Sequence, residues 1–182
     1  RFHAALSDLE HAFAFTRPGA HDTPAHLAKL RRLRDPAHPR ADAILPLADA
    51  VLEAAEGLPA IGALPTRIIH GDLKATNVRF EPDADRARAL VDLDTLAHGT
   101  VAVELGDALR SWCNRTSESD PGARFDAEVF EAAMEGYATG APGLLTDDEI
   151  DAIVPGAETI ALELASRFAA DLHEDAYFGW DE

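Results

Sequence analysis

The chain is acidic and contains one cysteine. Its 182 residues, of which 47% are hydrophobic, suffice for a globular domain with a substantial core. A net charge of −17 at pH 7 disfavours nucleic acid and anionic membranes as partners. Cys113 alone cannot form an internal disulfide, and no apolar run is long enough to cross a bilayer, so we expect a cytoplasmic protein.

The first third of the chain is predicted to form helices. Apolar residues recur at helical spacing over residues 1–15, which predicts a first helix. Asp22 is in position to cap a second helix, with Pro24 in its first turn. A third helix is predicted over residues 41–56, with Gly57 as its stop signal.

A β-hairpin is predicted in the middle of the chain. Residues 78–80 and 89–91 lie on either side of a polar turn, which favours antiparallel pairing of the two runs. The apolar pair at 68–69 leads into this segment. A hairpin here would hold Asn77 and Asp92, the residues that flank it, at a fixed separation.

The second half of the chain is predicted to be mainly helical. Thr146 followed by Glu149 forms a capping-box pattern at the start of one helix. In chain order we predict a loop at 98–99, helices over 101–114 and 126–137, the helix from Thr146, a break at Pro155-Gly156 and a last helix over 157–172. The apolar stripe of that last helix is Ile160, Leu164, Phe168 and Leu172.

Polar side chains with the chemistry of phosphoryl transfer crowd the turn before the hairpin. Asp72 can accept or orient the proton of an attacking hydroxyl, and Lys74 can neutralise charge on the transferred group. Asn77 and Asp92 offer the oxygen ligands that Mg²⁺ prefers. Because Asp72 and Asn77 share one tight loop and Asp92 follows a neighbouring strand, a metal ion can lie between the two segments.

This segment resembles a known catalytic loop. Residues 70–77, HGDLKATN, are similar to the H-R-D-x-x-x-x-N loop of protein kinases, with Gly71 in the place of arginine. The glycine variant resembles the aminoglycoside and choline phosphotransferase branch of the kinase-like fold. A closer resemblance, to the N-acetylhexosamine kinases that phosphorylate the anomeric hydroxyl, rests on ALVDLDTL at 89–96, ELGDALRS at 104–111 and the tail over 167–178.

The resemblance implies a fold and an activity. The expected fold is α+β, mainly α-helical: the C-terminal lobe of the protein-kinase-like fold, with a small β-hairpin that carries the catalytic loop. The implied activity is ATP- and Mg²⁺-dependent phosphorylation of a small-molecule hydroxyl, with an N-acetylhexosamine as the favoured acceptor. Aminoglycoside, choline or homoserine phosphorylation are alternatives, and a non-catalytic binding module is an alternative from another class.

The resemblance also implies roles for eight residues. These are catalysis by Asp72 and Lys74, metal binding by Asn77 and Asp92, substrate binding by Arg167 and Tyr177, and structural support by His70 and Asp107. Simpler alternatives exist for three of them: a solvated surface position for Lys74, an exposed ion pair between Asp107 and Arg110, and core packing for the Tyr177 ring.

The nucleotide-binding half of a kinase-like enzyme has no counterpart in the sequence. There is no glycine-rich Gly-x-Gly-x-x-Gly loop, and the chain starts in a predicted helix. We therefore expect one domain over residues 1–182, a C-terminal lobe without its N-terminal lobe. Besides the small-molecule substrate, the expected partners are that missing lobe or a second copy, bound through the face where the lobe would dock.

Overall fold

The computed structural model describes residues 1–117 and 120–174. Over this part of the chain the protein is mainly helical, with two small antiparallel sheets of two strands each. This confirms the predicted α+β class and the small hairpin after the catalytic loop. None of the helices in these residues combines the length and the apolar character that a membrane crossing requires.

Eleven helices and strands make up the described fold. In chain order they are α1 Phe2–Ala5, α2 Thr23–Arg32, α3 Ala41–Glu56, β1 Arg67–Ile69, β2 Val78–Phe80, β3 Ala87–Leu90, β4 Ala97–Gly99, α4 Val101–Trp112, α5 Ala127–Gly140, α6 Asp147–Asp151 and α7 Ile153–Glu174. Short 3₁₀ turns at Ala75–Asn77 and Leu93–Thr95 lie beside β2 and β4.

The chain divides into two compact units. The first comprises Arg1–Pro18 and Ile61–Ala157, and the second comprises Gly19–Ala60 with the chain from Glu158 onward. The first unit contains both sheets and α4 to α6. The single-domain organisation over 1–182 stays a prediction.

Both sheets of the first unit are formed by strands in and next to the predicted hairpin. Strands β2 and β3 pair antiparallel, as predicted, with Val78 opposite Leu90. Strand β1 pairs antiparallel with β4, with Ile69 opposite Ala97. The prediction of a loop at 98–99 was therefore wrong, because backbone pairing with the buried strand β1 extends these residues despite a local sequence that favours a turn.

The core of the first unit forms around α4. Thr100 caps this helix by accepting a hydrogen bond from the Val103 amide. The capping box at Thr146 and Glu149 is present and starts α6, as predicted. Apolar side chains of α4 meet the start of α7 in one buried cluster of Val101, Leu105, Leu109, Cys113 and Ile153.

The first predicted helix is much shorter than the pattern suggested. Helix α1 ends at Ala5, so the prediction of a helix over 1–15 was wrong beyond its first turn. Phe15 is 65% exposed, so the apolar face of a longer helix would lack the packing against a core that stabilises helices in proteins. Tertiary contacts hold the segment instead: the His11 carbonyl accepts from Nε2 of His98 at 2.7 Å, and Arg17 pairs with Asp94.

The second unit is helical over its described residues. Asp22 caps α2, as predicted, by accepting from the Ala25 amide at 3.0 Å. Helix α3 has the predicted bounds and contains Pro46 in its interior. The core of this unit consists of Leu27, Leu30, Ala48, Leu52, Ala169 and Ala170.

The break predicted before the last helix was wrong. Helix α7 begins at Ile153 and continues through Pro155 and Gly156. Proline is tolerated in a first helical turn, where its missing N–H has no partner to lose. A Cβ at Gly156 would collide with the carbonyl oxygen of Ala102, so glycine serves the close crossing of α7 over the start of α4.

The buried face of α7 also differs from the predicted stripe. Ile160 is buried, but Leu164, Phe168 and Leu172 are only half-buried. Polar side chains, Glu163 and Ser166, occupy buried positions between them. A pattern of apolar residues could not reveal this face, because part of it consists of buried polar side chains whose hydrogen bonds compensate for their burial.

Candidate active site

The catalytic loop begins at a sharp turn after β1. Gly71 has a φ of +79°, a conformation that side chains other than glycine rarely adopt. A Cβ at this position would lie 2.5 Å from the carbonyl oxygen of Thr95. Glycine is therefore required both by the backbone conformation and by the close approach of Thr95, and the turn directs the chain to Asp72.

A buried carboxylate on α4 fixes the start of this loop. Glu104 is 1% exposed and accepts hydrogen bonds from the amides of His70 and Gly71, each at 2.9 Å. Burial alone would raise the pKa of the Glu104 carboxyl. The hydrogen bonds from His3 and from the two amides outweigh burial and hold that pKa below its ordinary value.

Sequence reasoning missed Glu104. The signal that could have found it is an acidic residue on the apolar face of a predicted helix, between Val103 and Leu105. A carboxylate in such a position needs donors from another part of the chain, because an unpaired buried charge is strongly unfavourable. Here those donors are amides of the catalytic loop.

His70 connects the loop to the strand that precedes Asp92. Its side chain is fully buried, and Nε2 donates to the carbonyl of Val91 at 3.0 Å. Its own carbonyl accepts from the hydroxyl of Thr95 at 2.7 Å. These are the contacts of a packed, hydrogen-bonded residue, and the structural support predicted for His70 stays a prediction.

The structure brings Asp72, Lys74 and Asn77 together. Nζ of Lys74 donates to Oδ2 of Asp72 at 2.6 Å. The side-chain nitrogen of Asn77 donates to the same oxygen at 3.1 Å and to the Asp72 carbonyl at 2.8 Å. Both side-chain donors use Oδ2, which leaves the other carboxylate oxygen, Oδ1, without a side-chain donor among residues 1–117 and 120–174. Because the nitrogen of Asn77 donates to Asp72, its amide oxygen could hold a cation.

Asp92 stands next to this group at the end of the hairpin. The Val91 amide donates to the carbonyl of Asn77 at 3.0 Å, so the two predicted metal ligands are one residue apart across a backbone hydrogen bond. Asp92 is exposed and has a φ of 68° in the left-handed region. A non-glycine residue in this conformation is uncommon, and such residues concentrate at functional sites.

Nearby carboxylates raise the pKa of Lys74. The hydrogen bond to Asp72 raises the pKa of the Lys74 ammonium above its ordinary value of 10.5, although partial burial opposes the change. The negative charges of Asp72, Asp92 and Asp107 raise this pKa further. Lys74 is therefore a charged, partly exposed ammonium paired with Asp72, and both its catalytic role and the alternative of a solvated surface lysine stay predictions.

Asp107 lies on the face of α4 that meets the loop. Glu104 accepts from amides at the start of the catalytic loop, and the hydroxyl of Ser111 accepts from the Ala75 amide of the same loop at 3.2 Å. Asp107 therefore lies on α4 between two residues that contact the loop. Asp107 accepts from Arg110 at 2.9 Å, and both side chains are largely buried. Glu104 makes the direct loop contacts that were expected of Asp107, whose supporting role stays a prediction.

The donor set fits a magnesium ion that arrives with a nucleotide. The carboxylate of Asp92 and the amide oxygen of Asn77 are the residues that would hold it. Across residues 1–117 and 120–174, no group of three or more His, Cys, Asp or Glu side chains is arranged to hold a metal ion. Mg²⁺ usually keeps several waters and substrate phosphates among its ligands, so two protein ligands agree with its chemistry.

The two predicted substrate contacts lie elsewhere in the chain. Arg167 is on α7 in the second unit and is half-buried. Tyr177 lies outside the described residues. The substrate-binding roles of both residues stay predictions.

Comparison with known proteins shows similarity to a protein family and to a solved structure. The model of a family described as the phosphotransferase enzyme family matches residues 1–142. Among solved structures, the chain is similar to the crystal structure of an aminoglycoside-3'-phosphotransferase of type VIII, with 19% sequence identity and a TM-score of 0.37. The match covers 80% of this chain and 64% of that one, so this chain spans less than two thirds of the length of that relative.

Proposed function

This chain belongs to the phosphotransferase enzyme family, and we propose that it is the catalytic lobe of an ATP- and Mg²⁺-dependent kinase for a small-molecule hydroxyl. The observation that carries the proposal is the shared geometry of Asp72, Lys74 and Asn77, with Asp92 held beside them by the hairpin. These are the groups that phosphoryl transfer needs, and their spacing along the chain is that of the kinase-like catalytic loop.

In the proposed mechanism Asp72 is the base. The acceptor hydroxyl donates to Oδ1, because Lys74 and Asn77 already bind Oδ2 and fix the rotation of the carboxylate. As the hydroxyl oxygen bonds to the γ-phosphorus, the bond from that phosphorus to the bridging oxygen breaks and ADP leaves. The hydroxyl proton passes to Asp72.

Two further groups handle the charge of the nucleotide. Asn77 and Asp92 would hold Mg²⁺, which when bound would neutralise charge on the phosphates. Lys74 is charged at any physiological pH and neutralises the phosphoryl group during transfer. A charged lysine matters in a chain of net charge −17, because the surrounding carboxylates would otherwise repel the nucleotide.

The proposed acceptor is a sugar such as an N-acetylhexosamine. Support comes from the resemblance of residues 89–96 and 104–111 to the kinases of these sugars. An aminoglycoside is the second candidate, because the net charge of −17 attracts polycationic acceptors. Ionic strength separates the two: KM for a cationic acceptor should rise with salt, whereas KM for a neutral sugar should not.

We propose that a nucleotide lobe outside these residues completes the ATP site. The absence of a glycine-rich loop from the sequence supports this partner. ATP and a single buried cysteine suit the cytoplasm as the proposed location.

Measurement of ADP release by the full-length protein tests the proposal. The acceptors are N-acetylglucosamine, N-acetylgalactosamine, kanamycin, choline and homoserine, each at low and high salt. Asp72→Asn should lower kcat by about 10² or more while Mg²⁺–ATP binding persists. Asp85→Asn, in the exposed hairpin turn, is the matched control and should retain full turnover. Full turnover by Asp72→Asn would contradict the assignment of the base.

A further inference from the structure

Three buried polar side chains form a chain of hydrogen bonds behind the catalytic loop. The hydroxyl of Tyr137 on α5 lies 2.9 Å from Nδ1 of His3. Nε2 of His3 lies 3.0 Å from Oε1 of Glu104. His3 is only 6% exposed although it is near the start of the described chain. The phosphoryl-transfer chemistry proposed above makes no direct use of His3 or Tyr137.

The direction of the bond between His3 and Glu104 follows from the chemistry of the two groups. The Glu104 carboxylate can only accept, so Nε2 of His3 carries a proton and donates. Burial, together with the charges of Glu104 and Glu149, raises the pKa of Tyr137 to about 12 against the opposing charge of Arg67. The phenol therefore stays protonated, and its hydroxyl holds Nδ1 of the His3 ring in a hydrogen bond.

Glu104 is the point where this chain meets the loop. Its Oε1 accepts from both His3 and the His70 amide, and its Oε2 accepts from the Gly71 amide. Without His3, a carboxylate that is 1% exposed would lose one of these three donors. The cost of an under-satisfied buried charge favours rotation or withdrawal of the carboxylate, and the two loop amides would lose their fixed acceptor.

We propose that His3, itself held by Tyr137, is a positioning residue that acts through Glu104 on the loop carrying Asp72. This inference rests on the proposed function for the role of Asp72. Gly71 is adjacent to Asp72 and forms the turn that leads to it, so a loosened Gly71 amide changes the placement of the carboxylate directly. His3 thereby couples the first turn of the described chain to the geometry of the base.

Amide hydrogen exchange of the full chain tests this inference without relying on activity. In His3→Ala, the amides of His70 and Gly71 should exchange about tenfold or more faster than in the parent protein. The Cys113 amide, which donates to Leu109 at the end of α4, should be unchanged. His26→Ala removes a half-buried histidine of the second unit and should alter none of these rates.

Two further variants keep the test decisive if His3→Ala does not fold. Tyr137→Phe should accelerate exchange at His70 and Gly71 by about threefold, because Nδ1 of His3 loses its hydrogen-bond partner. His3→Gln retains an N–H donor and should exchange more slowly than His3→Ala. Parent-like exchange at both amides in Tyr137→Phe, or an equal rise at Cys113, would overturn the inference.

Kinetics separate the failure of this inference from the failure of the proposed function. His3→Ala should lower kcat about tenfold with an unchanged KM for ATP, and His3→Gln should restore part of the loss. A parent protein without any turnover would contradict the proposed function alone, since the exchange rates would still decide the role of His3. Full turnover in His3→Ala with parent-like exchange would refute the inference and leave the function standing.

Discussion

The ammonium of Lys74 donates to Oδ2 of Asp72 at 2.6 Å. Asn77 donates to the same oxygen at 3.1 Å. With Oδ2 bound twice, Oδ1 is the atom that would accept from the substrate hydroxyl in the proposed mechanism. The pairing also keeps a positive charge in the site before any nucleotide binds.

Replacement of Lys74 tests whether that charge contributes to catalysis. Lys74→Gln should lower kcat by about tenfold to 10³-fold, because neither Asp72 nor the transferred phosphoryl group would have a cation beside it. The only other lysine in the sequence, Lys29, pairs with Glu174 in the second unit and provides the matched control. Steady-state ADP release measures both variants. Equal activity of Lys74→Gln and Lys29→Gln would return Lys74 to the status of a surface lysine.

The left-handed conformation of Asp92 predicts that its role is functional and not structural. Asp92 and Asp83 both have positive φ angles, 68° and 59°. Glycine relieves the strain at either position, and this gain roughly offsets the added flexibility of the unfolded chain. Asp92→Gly and Asp83→Gly should therefore each change the free energy of unfolding by less than about 0.5 kcal/mol in urea denaturation. Destabilisation of Asp92→Gly by about 2 kcal/mol would instead indicate a structural role.

Gly71 and Gly19 allow two costs of replacing glycine to be measured separately: the cost of a positive φ and the cost of steric overlap. Both have a φ of +79°, but only at Gly71 would a Cβ meet backbone, 2.5 Å from the Thr95 oxygen; at Gly19 nothing lies within 4 Å. Gly19→Ala should cost about 1 kcal/mol of stability, from backbone conformation alone. Gly71→Ala should cost about 3 kcal/mol or more, because steric overlap adds to it. Similar urea midpoints for the two variants would contradict the close approach of Thr95.

The ion pair between Arg67 and Glu149 predicts a pH-dependent contribution to stability. Arg67 donates from Nε and Nη2 to the two carboxylate oxygens at 2.6 and 2.8 Å. These hydrogen bonds lower the pKa of Glu149 below its ordinary value of 4.5, while burial opposes the shift and Thr146 assists it. Because the folded state binds the proton less readily than the unfolded chain, the stabilisation is complete above pH 4.5 and declines as the pH falls below it.

Glu149→Gln measures that contribution. At pH 7 the variant should be less stable by about 3 kcal/mol, because Arg67 would remain largely buried without a charged partner. The difference should shrink as the pH is lowered below 4.5 in denaturant titrations. Glu131→Gln, exposed on α5, is the control and should change stability at pH 7 by less than about 0.5 kcal/mol. A difference that stays constant down to pH 3 would contradict the lowered pKa of Glu149.

The local features of the site were predictable because short stretches of sequence specify them. The turn at Gly71, the spacing of Asp72 and Asn77, and the hairpin that leads to Asp92 all depend on residues within about 25 positions of one another. The helix cap at Asp22 was predictable for the same reason, since a capping side chain accepts from an amide two or three residues away.

The remaining features depend on partners distant in sequence. Glu104 is a buried acid whose purpose becomes visible only when the amides of His70 and Gly71 lie opposite it. Likewise, the first helix ends early because no core covers its later residues. Gly156 was predicted to break the helix, but α7 continues through it, and the absence of a side chain there allows close packing against Ala102. Local propensity cannot anticipate any of these contacts.

Calorimetric titration of the full-length protein with ATP, with and without Mg²⁺, tests the central claim most directly. Parent protein and Asp83→Asn should bind ATP in a Mg²⁺-dependent manner, and Asp92→Asn should weaken this binding about tenfold or more, because a neutral amide replaces the one anionic ligand proposed for the metal. That result would establish a working metal–phosphate site at Asn77 and Asp92. Binding that is independent of Mg²⁺, or equally tight in Asp92→Asn, would contradict the assignment of these residues as the metal site.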